Sequence, residues 1–136
     1  MIALQPIVDR LKAAGFAQVE GVIEFAGLKD PPRIVPALYV VPETESASAN
    51  RMAGIVDQRV SATFLIVLVL GGQARADSKV SAELEAQSDR VRDALIAWRH
   101  PDASGPFEYA GGRLLSVDGY RLAWGVRLTA PYHLRK

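Results

Sequence analysis

Cysteine is absent from this 136-residue chain. That removes disulfides, thiolate nucleophiles and Cys-ligated zinc together, and it is compatible with the cytoplasm. Histidine is scarce: only His100 and His133 occur, each near the expected end of an element and beside proline or tyrosine. No His/Asp/Glu cluster has metal-ligand spacing. Both histidines therefore read as surface or capping residues, and no metal or cofactor is expected. Neither sign of charge is in surplus. Sixteen Lys and Arg face 15 Asp and Glu, for a net charge of +1, whereas nucleic-acid binding needs a basic surplus or patch. Long apolar runs are missing too. The longest, "FLIVLVL" at Phe64–Leu70, falls far short of the roughly 20 residues that span a bilayer, so it reads as a buried strand and no membrane partner is expected. The N-terminal "MIALQPIVDRLKAAG" has no basic leader before an unbroken apolar stretch, so it does not read as a secretory signal.

Recognisable catalytic motifs are also lacking. "AGGRLLSVDG" has neither the lysine nor the following helix of a phosphate-binding loop. No serine sits in a G-x-S-x-G elbow. Glu43, Glu45 and Asp57 could form a carboxylate group, but acids in a loop flanking a strand are ordinarily just solvated. No catalytic residue is assigned and an enzyme is not expected.

What remains is a single domain over residues 1–136, long enough to bury roughly 67–70% of its unfolded surface. Leu4, Ile7, Val8 and Leu11 fall at helical spacing. Pro6 suits a first turn and Gly15 a stop. Gln18–Phe25 reads as a strand with Val19, Ile23 and Phe25 on one face, "KDPPR" at Lys29–Arg33 as a turn, and "PALYVVP", Pro36–Pro42, as a short strand bounded by prolines. "ETESASANRMAG", Glu43–Gly54, is either a mobile loop or the tip of a projecting hairpin. As one straight strand, Ile55–Leu70 would span about 53 Å, against a diameter of about 37 Å for a compact domain of this length. Either it bends or begins later, near Val60, or residues 43–59 form a projecting loop or β-arm.

After "GGQARADS", where Asp77 or Ser78 can cap, Val80, Leu84, Val91, Leu95 and Trp98 form one stripe of an amphipathic helix of about twenty residues, ended by His100–Pro101. Phe107–Leu128 reads as three short strands joined by tight turns at Gly111–Gly112 and Asp118–Gly119. In the last strand Tyr120, Leu122, Trp124, Val126 and Leu128 alternate with Arg121, Ala123, Gly125, Arg127 and Thr129. Tyr120, Trp124 and Trp98 are expected core anchors. The fold class is α+β: a mostly antiparallel sheet with one long amphipathic helix and a short N-terminal helix packed on it. Arg121 and Arg127 lie on the face opposite Trp124, and Arg51, Asp57 and Arg59 on the candidate arm. Each arginine is either solvated or part of a subunit or partner interface, where arginine is enriched, and Asp57 is a candidate for the same interface.

The order of these pieces resembles the tail terminator proteins of long-tailed bacteriophages and prophages. The resemblance runs through most of the chain. It rests on "IVDRLKAAG", "PALYVVP", "QRVSATFLIVLVL", the helix end "ALIAWRHP" with Trp98 and Pro101, the Gly111–Leu114 "GGRL", and the late strand centred on Trp124. It implies a structural virion protein, assembled as a six-membered ring of identical subunits that caps the head-proximal end of the tail tube. Its implied partners are other copies of itself, the tail tube protein and the head–tail connector protein. DNA would pass through the lumen without specific binding, as suits a near-neutral chain. The implied location is the virion tail, after assembly in the host cytoplasm. Another neck or head-closure protein, and a small ligand-binding α+β domain, are the alternative readings.

Overall fold

A computed structural model describes residues 1–21, 35–71, 77–117 and 121–136. Its elements are α1 (Gln5–Ala13), β1 (Gln18–Glu20), β2 (Ala37–Ala47), β3 (Asp57–Gly71), α2 (Asp77–Leu95), β4 (Glu108–Val117) and β5 (Arg121–Arg135). The five strands make one sheet in the order β1-β2-β3-β5-β4. The β1–β2 pair is parallel and the rest are antiparallel, so the chain is α+β.

α1 forms where Ile7, Val8 and Leu11 supply a buried stripe. It ends in a motif that satisfies its last carbonyls. The Gly15 N–H donates to the Lys12 carbonyl, and the Phe16 N–H to that of Leu11. Gly15 adopts φ +101°, and Phe16 and Leu11 are both buried. Gly15→Ala is therefore expected to destabilise the fold by about 1–2 kcal/mol, measured by urea denaturation; an unchanged midpoint would contradict this account of the stop. The two helices cap one another. Arg10 Nε donates to the Ala94 carbonyl near the end of α2, and Arg90 Nη2 to the Ala14 carbonyl at the end of α1, placing a cation at each negative helix end.

The principal core lies between the helices and one face of the sheet. Leu38 and Val40 of β2, Phe64, Ile66, Leu68 and Leu70 of β3, and Val126 and Leu128 of β5 meet Leu11, Val91 and Leu95. The opposite face is not simply solvated. Ala37, Tyr39, Val67 and Val69 are buried there, with Leu65, Leu115 and Ala123 against them. Burial on both faces is why "FLIVLVL" shows no alternation. Gly125 fits this second layer closely: a Cβ there would sit 2.7 Å from Leu65 Cδ1.

Several sequence expectations are corrected. β2 does not stop at Pro42 but runs to Ala47, because Glu43 is an extra, bulged residue between the Pro42–Phe64 and Thr44–Thr63 pairs. Of the readings left open for Ile55–Leu70, the late start near Val60 is excluded, since β3 is continuous from Asp57. α2 stops at Leu95, and Ala97 at φ 68° turns the chain out of the helix, so Trp98 packs on the core from beyond the helix end. Gly111–Gly112 is not a turn. It lies inside β4, where Gly111 at φ +128° accommodates a register shift after Tyr109, so the expected three-strand meander is one two-stranded hairpin. His100 is fully buried rather than at the surface. Residues 22–34, 72–76 and 118–120, and with them the expected strand end at Phe25, the "KDPPR" turn, the Asp118–Gly119 turn and Tyr120, lie outside the described residues. So do the side chains of Asp77 and Ser78.

Candidate functional site: the arm of β2, β3 and β5

Residues 43–59 fall on the β2–β3 hairpin, which β5 widens into a three-stranded ribbon. Ala47 pairs with Val60, and Val60 in turn with Tyr132. Among the described residues, β1 follows β2 only to Tyr39 and β4 follows β5 only from Thr129 towards its start. The ribbon's far half is thus flanked by neither edge strand.

The connecting loop, 48–56, is built around one side chain. Asn50 Nδ2 donates to the carbonyls of Met52 (3.2 Å) and Ile55 (2.9 Å). Its Oδ1 accepts from the backbone N–H of Met52 (3.2 Å) and Asp57 (3.0 Å). Gly54 at φ +80° completes the reversal. This ordered loop turns apolar groups outward: Met52 and Ile55 are each 53% exposed, with Val56 and Leu134 also exposed beside them. Met52, Ile55 and Val56 of the loop, and Leu134 opposite Gln58, thus leave apolar side chains exposed towards this end of the ribbon.

The five interface candidates fall into separate places. Arg51 is exposed in the loop. Asp57 opens β3 and holds the strand end, its carboxylate 3.2 Å from Arg135 Nε and 3.3 Å from His133 Nδ1. Arg59 has an exposed side chain, while its backbone N–H donates to Ser48 Oγ. Arg127, in mid-β5, pairs with Glu43 across the sheet at 2.5 Å, and its Nε is buried without a hydrogen bond. Arg121 lies at the other end of β5, opposite Gly71. The structure thus brings Arg51, Asp57 and Arg59 to one arm, seats Arg127 near its base and leaves Arg121 far from it.

The three acids do not gather into one carboxylate group. Glu43 faces Arg127, Asp57 faces His133 and Arg135, and Glu45 accepts a hydrogen bond from the Tyr132 hydroxyl at 2.9 Å. Burial, and then the Glu45 carboxylate, push the Tyr132 phenol above its ordinary value. Among the described residues no group of three or more His, Asp or Glu is placed to hold a metal, and no helix is long and apolar enough to cross a membrane. At the arm's base lies a cleft of about 220 Å³, lined by Met1, Pro42, Phe64 and the Glu43–Glu45 segment; of its acids, Glu45 shares the sheet face of Pro42 and Phe64, whereas Glu43 turns to Arg127 on the other face.

Sequence reasoning passed over Asn50, Tyr132 and the exposed Met52 and Ile55. The signal for the last two was two large apolar residues set in an otherwise small and polar stretch. Asn50 carried no comparable signal, because its role depends on a loop closure fixed only by the strand register.

No curated protein matches the chain. Among solved structures, a chain from the virion of a native gene transfer agent particle shares the fold, with a TM-score of 0.60 at 15% identity, covering 97% of this chain and 96% of that one. The family model described as phage tail terminator protein matches residues 1–136. A match over that whole range means that the chain belongs to the phage tail terminator family and is a structural protein of the virion tail.

Proposed function

We propose that the protein closes as a homohexameric ring on the head-proximal end of the tail tube, stops tube polymerisation there, and presents the surface on which the head connector docks. The observation that carries this reading is the family match over residues 1–136. The arm supports it. A ring of identical subunits needs two different patches per subunit that meet head to tail and close, and the ordered tip and the cleft at the base of the same ribbon are two such patches. The net charge of +1 suits a lumen through which DNA slides without phosphate capture. No reaction is assigned: Glu43, Glu45 and Asp57 are each engaged with a separate partner, so the arm does not assemble an acid–base pair.

The test is tail length. The gene is deleted from its phage or prophage, particles are induced, and lysates are imaged by negative-stain electron microscopy. Overlong, headless tails of scattered length are expected. Normal-length tails that fail to join heads would move the role to a neck or head-closure protein. Intact particles would remove the virion role.

A further inference from the structure

We propose that the β2–β3 tip of one copy docks in the base cleft of the next, with Met52 on the Pro42–Phe64 floor and Arg51 against Glu45. This contact rests on the ring reading and specifies how neighbouring subunits would engage.

The two surfaces are complementary in shape and charge. The cleft offers Pro42 and Phe64 with one acid, Glu45, on the same sheet face. Glu43 turns to Arg127 on the other face, which offsets its charge, whereas Glu45 is exposed and, among the described residues, is held by a neutral phenol. The tip offers the reverse, exposed Met52 and Ile55 beside Arg51. Among the described residues Arg51 has no ion pair. A chain that carries both halves of a match, an unopposed acid over an apolar floor and an unopposed cation beside an apolar knob, is its own natural partner.

The contact cannot form within one molecule. From Val56, paired with Lys136, to Thr63, paired with Thr129, both surfaces belong to one hydrogen-bonded ribbon, separated by about 23 Å at 3.3 Å per residue. Docking is therefore intermolecular. The ring reading takes it as heterologous, each copy that accepts a tip still presenting its own, whereas reciprocal docking in a two-fold pair would stop at a dimer and give no ladder. The Asn50 framework fixes the loop before binding, which lowers the entropy lost on docking. The Arg51–Glu45 pair at the rim sets orientation and partner choice more than affinity.

The absence of native cysteine permits a background-free test on the full chain. Ala53→Cys and Ala47→Cys, the latter exposed and two residues along from Glu45 on the same sheet face, are combined and mildly oxidised, both in purified protein at high concentration and in induced lysates containing tails. A ladder of disulfide-linked oligomers is expected on non-reducing gels, whereas either single variant can give no more than a dimer. Adding Arg51→Glu, or Glu45→Arg, should abolish the ladder, and adding both should restore it. Met52→Asp, at an exposed site, should abolish it with an unchanged urea midpoint. No ladder in either preparation, or a ladder indifferent to charge reversal and to Met52→Asp, overturns the contact. The gene deletion separates the two proposals. A ladder from a protein whose loss leaves tails normal supports the contact and removes the terminator role. Overlong tails on deletion without a ladder remove the contact and leave the role standing.

Discussion

Replacing Phe107 by alanine is expected to cost about 3–5 kcal/mol of stability, read as a lowered urea midpoint with an unchanged slope. Phe107 is 2% exposed and sits at the meeting point of four segments. Its ring stacks on Trp98 at 5.9 Å and meets Phe64 and His100 edge-on at 6.0 and 6.5 Å. Its backbone carbonyl accepts from Ala97 and its N–H donates to Trp98, which seats the segment after α2 on the start of β4. His100 carries the same corner to the N-terminal segment. The Asp102 N–H donates to His100 Nδ1 at 2.9 Å, which leaves Nε2 to donate to the Ala3 carbonyl at 2.8 Å. Truncation at Phe107 removes partners from three other rings at once, and strands already held in register cannot collapse far to fill the space. Tyr109→Ala, two residues along and exposed, is the control and should cost under about 1 kcal/mol. A loss at Phe107 no larger than the control's would show that this corner repacks freely.

Shortening the arm has the opposite signature. Replacing residues 51–56 with a two-residue Asn-Gly turn, which continues the Ala47–Val60 register of the hairpin, should change stability by no more than about 1 kcal/mol, because apart from the Val56–Lys136 pair at the chain end the loop's hydrogen bonds are satisfied within the loop and the adjoining strand start. Mature particles should nevertheless be lost, with overlong tails in their place, as in the gene deletion. The measurements are urea denaturation of the purified variant and tail-length histograms from complemented lysates. Normal particles assembled from a folded, short-armed protein would remove the tip from assembly.

The elements most legible in the sequence were those whose signal is local. The stripe of Ile7, Val8 and Leu11 together with Gly15 specified α1, because a helical face and a left-handed stop depend only on near neighbours. Signals that depend on a partner strand were misread. Gly111–Gly112 announces backbone freedom, and either a turn or a bulge uses it; the choice was made by β5, to which Tyr109 and Gly111 both remain paired. Trp98 continues the α2 spacing by coincidence, since the helix is ended by Ala97, a residue with no stop signal of its own. Counting faces by alternation works along β2 as far as Pro42 and fails at Glu43. The bulge there sends Glu45 to the same face as Tyr132, while Glu43 meets Arg127 on the other. The candidate arginines were visible as residues, but whether each is paired turns on acids brought close only by that irregularity.

The strand order carries a consequence for time as well as space. β4 is made before β5, yet β5 lies between it and β3. β4 thus has no seat until its successor exists. β4 takes its place only with β5, either as a local hairpin or after β5 has paired with β3 in one antiparallel register from Gly71–Arg121 to Asp57–Arg135. Bringing such distant segments together is the entropically costly step. Until it is complete, the ribbon that bears the arm is a two-stranded hairpin lacking its third strand, marginal on its own in water. On the proposed ring contact, a subunit without β5 in place would lack the finished ribbon that presents the tip, so folding would come before assembly.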